Sequence, residues 1–250
     1  MTHTNRTVLV TGASSGIGLA VTHQLLSQGF NVIGLGRSAT ALASNYAAYL
    51  GWDIDFTRPE DIVVQIKKLA KNNESTFSQL TSIICCAGQG RFGSLEEFSC
   101  RQIQDIININ FTSHACLVRE LLPTLKKQAS QFDGGHIIFI GSEAALNGGR
   151  HGAIYSASKF ALRGFSQALR QECSRDEISI SIINPGMVRT PFFDQLRFRP
   201  GPEASHAILA EDVATAVSMV INMRNGTVID EINLSPLQKV IQFDSGKSKQ

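Results

Sequence analysis

No apolar run in this sequence approaches membrane length. The longest are strand-sized, against the roughly 20 consecutive residues a bilayer-spanning helix needs, so no membrane partner is expected. Neither sign of charge dominates: 23 basic residues face 21 acidic ones for a net +2. No basic stripe breaks that balance, which argues against a nucleic-acid partner. The six histidines fall in no H-x-H or H-E-x-x-H spacing, so no metal site is expected. Cysteine is sparse and odd in number: Cys85, Cys86, Cys100, Cys116 and Cys173 contain no C-x-x-C pair. That argues against a disulfide framework, and reduced, mostly buried thiols in a cytoplasmic protein are expected. The start, Met1 to Arg6, is polar and leads straight into a strand pattern, unlike a signal peptide. Tyrosine is scarce as well, with three positions in the chain, so any phenol chemistry has few places to reside.

What is present is a core. Hydrophobic residues make up 43% of 250 positions, enough to exclude wholesale disorder. Strand patterns fall at Thr7–Thr11, Asn31–Gly36, Ser82–Cys86, His136–Ile140, Ile178–Ile183 and Val228–Ile232, with a weaker one at Trp52–Asp55. Several are apolar on consecutive residues, as strands covered on both faces should be. Helix patterns lie between them, at Gly16–Gln28, Glu60–Lys71, Gln102–Lys127, Tyr155–Cys173 and Asp212–Met223. This alternation predicts an α/β fold, a parallel sheet with helices on both faces. No linker or repeat divides the chain, so residues 1–250 are expected to form a single domain. Within it, residues 187–210, with Pro191, Pro200 and Pro202, are expected to be a substrate loop, and residues 244–250 a polar tail.

The stretch "TGASSGIG", Thr11 to Gly18, follows the first strand pattern. In an open parallel sheet ligands bind beyond the carboxyl ends of the strands, and a helix N-terminus there offers free N–H groups and a positive dipole end to a phosphate. Gly12 would permit the sharp turn, Gly16 a close approach of main chain to a pyrophosphate, and Gly18 close helix–strand packing. Ser14 and Ser15 add hydroxyl donors. The spacing is G-x-x-x-G-x-G, not the general dinucleotide fingerprint. The second strand ends in Arg37 with no acid beside it. A carboxylate there would bind a ribose hydroxyl, whereas a guanidinium suits a 2′-phosphate, so a dinucleotide ligand would be NADP(H) in preference to NAD(H).

"YSASK" places Tyr155 and Lys159 four residues apart, on one face of a helix. A phenol normally titrates near 10, and bringing it to about 7 requires roughly 4 kcal/mol of preference for the phenolate. A neighbouring ammonium and a cationic nicotinamide ring are charges that would supply it. Such a tyrosine can give a proton to a carbonyl oxygen and take it back in reverse. Ser142 ends the His136–Gly141 run at the carboxyl edge of the sheet, where its hydroxyl could hold the same oxygen.

These elements, with Cys85-Cys86-Ala87-Gly88, Asn110 and Asn184-Pro185-Gly186, stand in the order and spacing of the short-chain dehydrogenase/reductase family, which the chain resembles from Thr7 to about Thr190. The resemblance implies a Rossmann-type, doubly wound sheet of seven strands, a nicotinamide cofactor and a Ser-Tyr-Lys-Asn tetrad. Carried over by position, Tyr155 is the proton donor and acceptor. Lys159 lowers its pKa and binds the nicotinamide ribose, Ser142 orients the substrate oxygen, and Asn110 holds a water in the proton relay. Ile17 belongs to the glycine turn. Asp55, followed by Phe56, is expected to contact adenine, with Asp53 as the alternative register. Ala87 and Gly88 would line the adenine ribose, and Pro185, Gly186, Val188 and Thr190 would grip the nicotinamide. The family's helices corresponding to Gln102–Lys127 and Tyr155–Cys173 form subunit contacts. Ile103, Ile106, Ile107, Phe160, Leu162 and Phe165 there exceed what one buried face requires, so a homotetramer is expected, with a homodimer as the alternative.

Two departures from the family pattern stand out. Cys85 and Cys86 replace a pair of asparagines, one of which normally ties the central strands; a packing role is expected, with redox reactivity as the rival. The ending Val228 to Pro236 resembles bacterial NADP-dependent 3-hydroxy acid dehydrogenases and sepiapterin-reductase-like enzymes. The expected activity is interconversion of a carbonyl and a secondary alcohol, on a 3-hydroxy acid or a small ketone. The substrate walls should come from Glu143–His151 and Met187–His206, with Phe192, Phe193 and Phe198 as apolar lining. The alternative is an NADP(H)-binding sensor without turnover, although such proteins often lose the tyrosine or lysine present here.

Overall fold

A computed structural model describes residues 5–243. Seven parallel strands form one sheet in the order β3-β2-β1-β4-β5-β6-β8. The strands are β1 (Thr7–Thr11), β2 (Asn31–Gly36), β3 (Tyr49–Asp53), β4 (Leu80–Cys85), β5 (Gly135–Ile140), β6 (Ile178–Pro185) and β8 (Glu231–Leu234). From β1 and β4, which are neighbours, the chain builds outward in opposite directions, so their carboxyl ends flank the crevice where an open α/β sheet binds its ligands.

Strand residues alternate between two cores. Leu9, Ile83, Ile137, Phe139, Ile180 and Ile182 pack on one face with Ile62 and Ile66 of α2 (Pro59–Asn72), Leu117 and Leu121 of α5 (Ser113–Ala129), and Leu162 of α6 (Ala153–Glu172). Val8, Val10, Ile138 and Ile140 pack on the other with Val21 and Leu25 of α1 (Gly16–Ser27) and Val213 and Val217 of α7 (Ala210–Ile221). Each such side chain, taken fully out of water, contributes about 1.5–3 kcal/mol. This is the doubly wound, Rossmann-type architecture.

Several boundaries differ from the sequence pattern. The helix expected over Gln102–Lys127 is two, α4 (Cys100–Ile107) and α5, joined by a π-helical turn at Asn108–Thr112. Periodicity alone does not register one wide turn, and such turns tend to occur at functional sites. The last strand begins at Glu231 and not Val228, because its register against β6 pairs Ile182 with Glu231 and Asn184 with Asn233, and the Asn184 amide donates to the Asn233 side-chain oxygen at 3.0 Å. The third strand begins at Tyr49, whose buried phenol donates to the Ala39 carbonyl at 3.0 Å. The short helix α3 (Glu74–Phe77) closes the α2–β4 connection.

The segment expected to be a substrate loop carries β7 (Phe198–Pro200), which pairs antiparallel with β9 (Ile241–Phe243). This ribbon lies outside the main sheet and joins the loop to the end of the described chain. The polar tail over 244–250 lies outside the described residues. Of the six apolar positions expected to be surplus on the two long helices, Ile106 and Leu162 are consumed by the chain's own core, at 1% and 0% exposed; Phe160 is exposed at 44%.

Candidate active site

A cavity of about 710 Å³ opens at the carboxyl ends of the strands, within the range of small-molecule and cofactor sites. At one end lies the glycine turn. Gly12 and Gly16 have φ of +70° and +51°, a region costly to residues with a Cβ. A Cβ on Gly18 would run into the carbonyl oxygen of Gly12, so α1 lies closer to the turn than any side chain would permit. Ser15, the N-cap of α1, makes no side-chain cap, and the first turn carries no acid. The helix thus presents open N–H groups to the cavity, a setting made for an anion. The residues Gly12, Ser14, Ser15, Gly16, Ile17 and Gly18 all border it.

Arg37, just after β2, lines the same cavity, as do Asp55, Phe56, Ala87, Gly88, Pro185, Gly186, Val188 and Thr190; Thr190 lies against the glycine turn, where a Cβ on Gly16 would come within 3.3 Å of it. Of the two acids weighed for an adenine contact, Asp55 borders the cavity. Asp53 is tied instead to the Thr40 amide at 2.9 Å and its hydroxyl at 2.8 Å.

The strand tie that an asparagine normally provides is supplied by Thr11. Its hydroxyl accepts from the amides of Cys86, at 2.8 Å, and Ala87, at 2.9 Å, holding the end of β4 to the end of β1. Cys85 and Cys86 point into opposite cores. Burial pushes both thiols up, Cys86 to about 12 against the opposing pull of Lys159. A thiol so protonated is a poor nucleophile, which supports the packing role over the redox one.

Ser142, Tyr155 and Lys159 all line the cavity. Ser142 caps the short turn after β5, its hydroxyl accepting from the Ala144 amide at 3.1 Å. The ammonium of Lys159, one helical turn on, lies 5.9 Å from the Tyr155 ring centre and donates to the Ile140 carbonyl at 3.0 Å. Burial sets the balance of charge. It pushes Tyr155 up to about 12, with the Ser142 hydroxyl pulling down and the Glu143 carboxylate pushing further up. It also draws Lys159 down to about 8, opposed by Cys86. The phenol is therefore not made acidic by the chain's own groups; lowering it toward 7 takes a further positive charge beside it.

Asn110 sits in the π-helical turn, fully buried behind the cavity wall. Its side-chain oxygen accepts from the Gln89 amide at 2.8 Å, and its amide donates to the Gln89 carbonyl at 3.0 Å and the Ser158 hydroxyl at 2.9 Å. Ser158 in turn donates to the Tyr155 carbonyl at 2.7 Å. Asn110 thereby ties the loop after β4 to the helix that carries Tyr155, and its side chain faces protein on each of these bonds.

Sequence reasoning missed Thr11, Ser158 and His114, which brace the site from behind. The buried His114 ring meets the Ala87 carbonyl through Nε2 at 2.8 Å. Thr11 was visible as the first letter of the glycine turn; nothing in the spacing marks the other two.

This geometry agrees with what comparison finds. Residues 6–200 match the model of the short chain dehydrogenase family. The chain belongs to that family. An uncharacterized oxidoreductase from Staphylococcus aureus strain MW2 is 28% identical over 236 residues, 94% of this chain and 98% of its own. Another from Staphylococcus epidermidis, strain ATCC 35984, is 27% identical over 93% of this chain and 97% of its own. Among solved structures, the alcohol dehydrogenase of the archaeon Thermococcus sibiricus, complexed with 5-hydroxy-NADP, superposes with a TM-score of 0.80 at 22% identity, over 94% of this chain and 98% of that one. The 3-ketoacyl-(acyl-carrier-protein) reductase of Brucella melitensis, complexed with NADH, gives 0.80 at 17% identity, over 95% and 100%. ElxO with NADP bound gives 0.78 at 22%, over 92% and 97%. The protein is a short-chain dehydrogenase-type oxidoreductase, and no helix among its described residues is long and apolar enough to cross a membrane.

Proposed function

We propose that this protein reduces a carbonyl to a secondary alcohol, and catalyses the reverse, with NADP(H) and with Tyr155 as acid and base. The observation that carries this reading is the convergence of Ser142, Tyr155 and Lys159 on the cavity into which the glycine turn and α1 also open.

The residues fit a nicotinamide dinucleotide. Gly12 to Gly18 and the N-terminus of α1 would hold its pyrophosphate, and Arg37 a 2′-phosphate. Asp55 and Ala87 would border the adenosine, and Lys159 with Pro185 to Thr190 the nicotinamide riboside. When bound, the cofactor supplies or removes the hydride and, oxidised, a positive charge. Ser142 and Tyr155 hold the substrate oxygen between their hydroxyls. Tyr155 gives that oxygen its proton on reduction and recovers it on oxidation. Lys159, held against Ile140, keeps an ammonium beside the phenol, and Asn110 positions the helix that bears both. Solved relatives carrying NADP and others carrying NADH make cofactor choice a point for this chain's own residues. Arg37, with no acid beside it, favours NADP(H) electrostatically.

The raised phenol of Tyr155 is the observation that favours the second reading, a cofactor-binding sensor without turnover. Rates of NADPH- and NADH-linked reduction over an aldehyde and ketone panel test the choice: turnover with NADPH is expected, and its absence with both cofactors, while either binds, selects the sensor.

The half-exposed Phe160 supports a homotetramer or homodimer, on a smaller apolar surface than the helix patterns implied. Light scattering at micromolar concentration tests it, and a monomer rejects it. Five free thiols fit a reducing, cytoplasmic setting.

A further inference from the structure

Beyond Ser142, the cavity is walled by phenyl rings. Phe192 and Phe193 line it, and with Phe92 and Phe198 they close a circuit through the catalytic phenol. Ring centres are 5.2 Å apart for Tyr155 and Phe92, 5.0 Å for Phe92 and Phe198, and 5.8 Å for Phe198 and Phe193. Phe193 and Phe192 follow at 5.2 Å, and Phe192 returns to Tyr155 at 6.0 Å. The four phenylalanines come from two distant segments, Phe198 opening β7, and all are half-buried. Phe192 is seated on Gly90, where a Cβ would collide with its ring tip; the ring spans from the substrate loop to the loop after β4. Such a wall offers dispersion and edge or face contacts to a flat apolar group.

Charge at this end points the same way. The cations on the cavity wall are Arg37, at the far end beside β2, and Lys159, committed to the Ile140 carbonyl. Asp194 lies on the wall beside Phe193. Glu143 stands close enough to push the Tyr155 phenol up, while Lys239 neutralises it from outside at 2.8 Å. A substrate carboxylate entering here would shed water and meet Asp194, while Lys159 is committed to the Ile140 carbonyl and Arg189, in the adjoining hollow, to the carbonyls of Gly201 and Glu203.

We infer that the substrate is an uncharged aryl ketone or aldehyde, or the matching alcohol, with its ring against Phe192 and Phe193, and not a keto acid; this rests on the carbonyl-reductase reading above. In the reduction, the carbonyl carbon gains a hydride from the reduced nicotinamide and its oxygen gains the Tyr155 proton. Two electrons pass to the carbonyl, the nicotinamide is oxidised, and the phenol is reprotonated from solvent.

The test compares acetophenone, cyclohexyl methyl ketone, 2-butanone and benzoylformate by kcat/KM, with NADPH and with NADH. Saturation-transfer NMR follows binding of each to the protein with oxidised cofactor. Acetophenone should exceed the cyclohexyl ketone about tenfold, on the scale of the advantage aromatic pairs hold beyond area, and benzoylformate by more than that. Phe192→Leu, and separately Phe193→Leu, should bring the aryl-to-cyclohexyl ratio down toward one. The inference falls if the cyclohexyl ketone or butanone matches acetophenone, or if benzoylformate is preferred, even though either result leaves carbonyl reduction standing. If nothing turns over with either cofactor, the reductase reading falls and NMR decides the ligand class. Acetophenone binding that Phe192→Leu weakens upholds the aryl site, and its absence overturns it.

Discussion

At the glycine-turn end of the cavity the protein presents main chain; at the phenyl end it presents side chains. The first end is fixed by conformations that few substitutions tolerate: positive φ at Gly12 and Gly16, and a helix pressed on the turn at Gly18. Thr11 and His114 brace it through main-chain atoms of Cys86 and Ala87. The second end rests on four half-buried rings carried by loops and steadied by the β7–β9 ribbon. Under the aryl-site proposal, changing a ring there would alter what is bound while leaving the sheet in place. The difference teaches where one fold tolerates variation: the end proposed for the cofactor is built on backbone, and the end proposed for the substrate on rings that can be exchanged.

Ser142, Tyr155 and Lys159 line the same cavity, and the largest effect is expected there. Tyr155→Phe removes one hydroxyl from a ring already packed against Phe92. Reduction of any substrate the panel identifies should fall by roughly 10²–10⁴-fold, the range for a lost general acid. Cofactor affinity, followed by NADPH fluorescence, should hold within about twofold, since no proton transfer enters binding. Near-wild-type turnover would remove Tyr155 from the chemistry and unite the two ends in a binding site alone.

The two ends also differ in how legible they were. The glycine turn and the Tyr155–Lys159 pair are short local spacings that stand out in the sequence, Arg37 and Ser142 were picked out by their place at strand ends and by the family resemblance, and all of them border the cavity. The phenyl circuit did not. Phe192, Phe193 and Phe198 were expected to be lining, but Phe92 lies a hundred residues away in sequence and joins them only through the fold. The interruption of Gln102–Lys127 was hidden because its residues still follow a helical pattern. The upward push on Tyr155 was hidden too: the i, i+4 lysine suggests an acidic phenol, whereas desolvation is a tertiary property that no spacing reports.

The bracing of the glycine-turn end should make it the acid-sensitive one. Burial holds His114 down at about 4, so the folded protein keeps the ring neutral while the unfolded chain takes up a proton below about 6.5. Stability should be untouched above pH 6.5, fall as the pH drops toward 4, and level off below it, with a loss of up to about 3 kcal/mol from this residue. His136, also lowered to about 4 by burial and by the Arg6 cation, adds to the same limb. Urea denaturation at pH 7.5, 5.5 and 4.5 measures it. His114→Gln, which keeps a donor for Ala87 but cannot titrate, should flatten the acid limb; an unchanged slope would take His114 out of the account.

A methyl group separates the two ends more directly. Gly18→Ala puts a Cβ into the Gly12 carbonyl, where main chain must move, and overpacking of this kind costs about 1–3 kcal/mol. Gly148→Ala, on the stretch after Ser142, meets nothing within 4 Å and should change stability by less than about 0.5 kcal/mol. Thermal unfolding of both variants, with and without NADPH, checks the contrast. Gly18→Ala should also lose most of the stabilisation NADPH confers; equal shifts for the two variants would mean that the close approach at Gly18 is not needed.

The smallest effect expected is on cofactor choice, because Arg37 is exposed and water screens its charge. A 2′-phosphate beside it would gain a charge-assisted contact, while the diphosphate bridge, shared by both cofactors, would be held by the turn. The wild-type protein should bind NADPH more tightly than NADH by about tenfold, or ~1.4 kcal/mol. Arg37→Asp should reverse the order, since a carboxylate repels the 2′-phosphate and accepts from a ribose hydroxyl. Raising salt should narrow the wild-type preference and leave NADH affinity nearly unchanged, because the discriminating charge is the exposed one. Fluorescence titrations with both cofactors at two ionic strengths measure all of this. Equal affinities in the wild type, or an order that Arg37→Asp leaves standing, would place the selectivity elsewhere on the wall, with Ser14 and Gly36 the adjoining positions to change next.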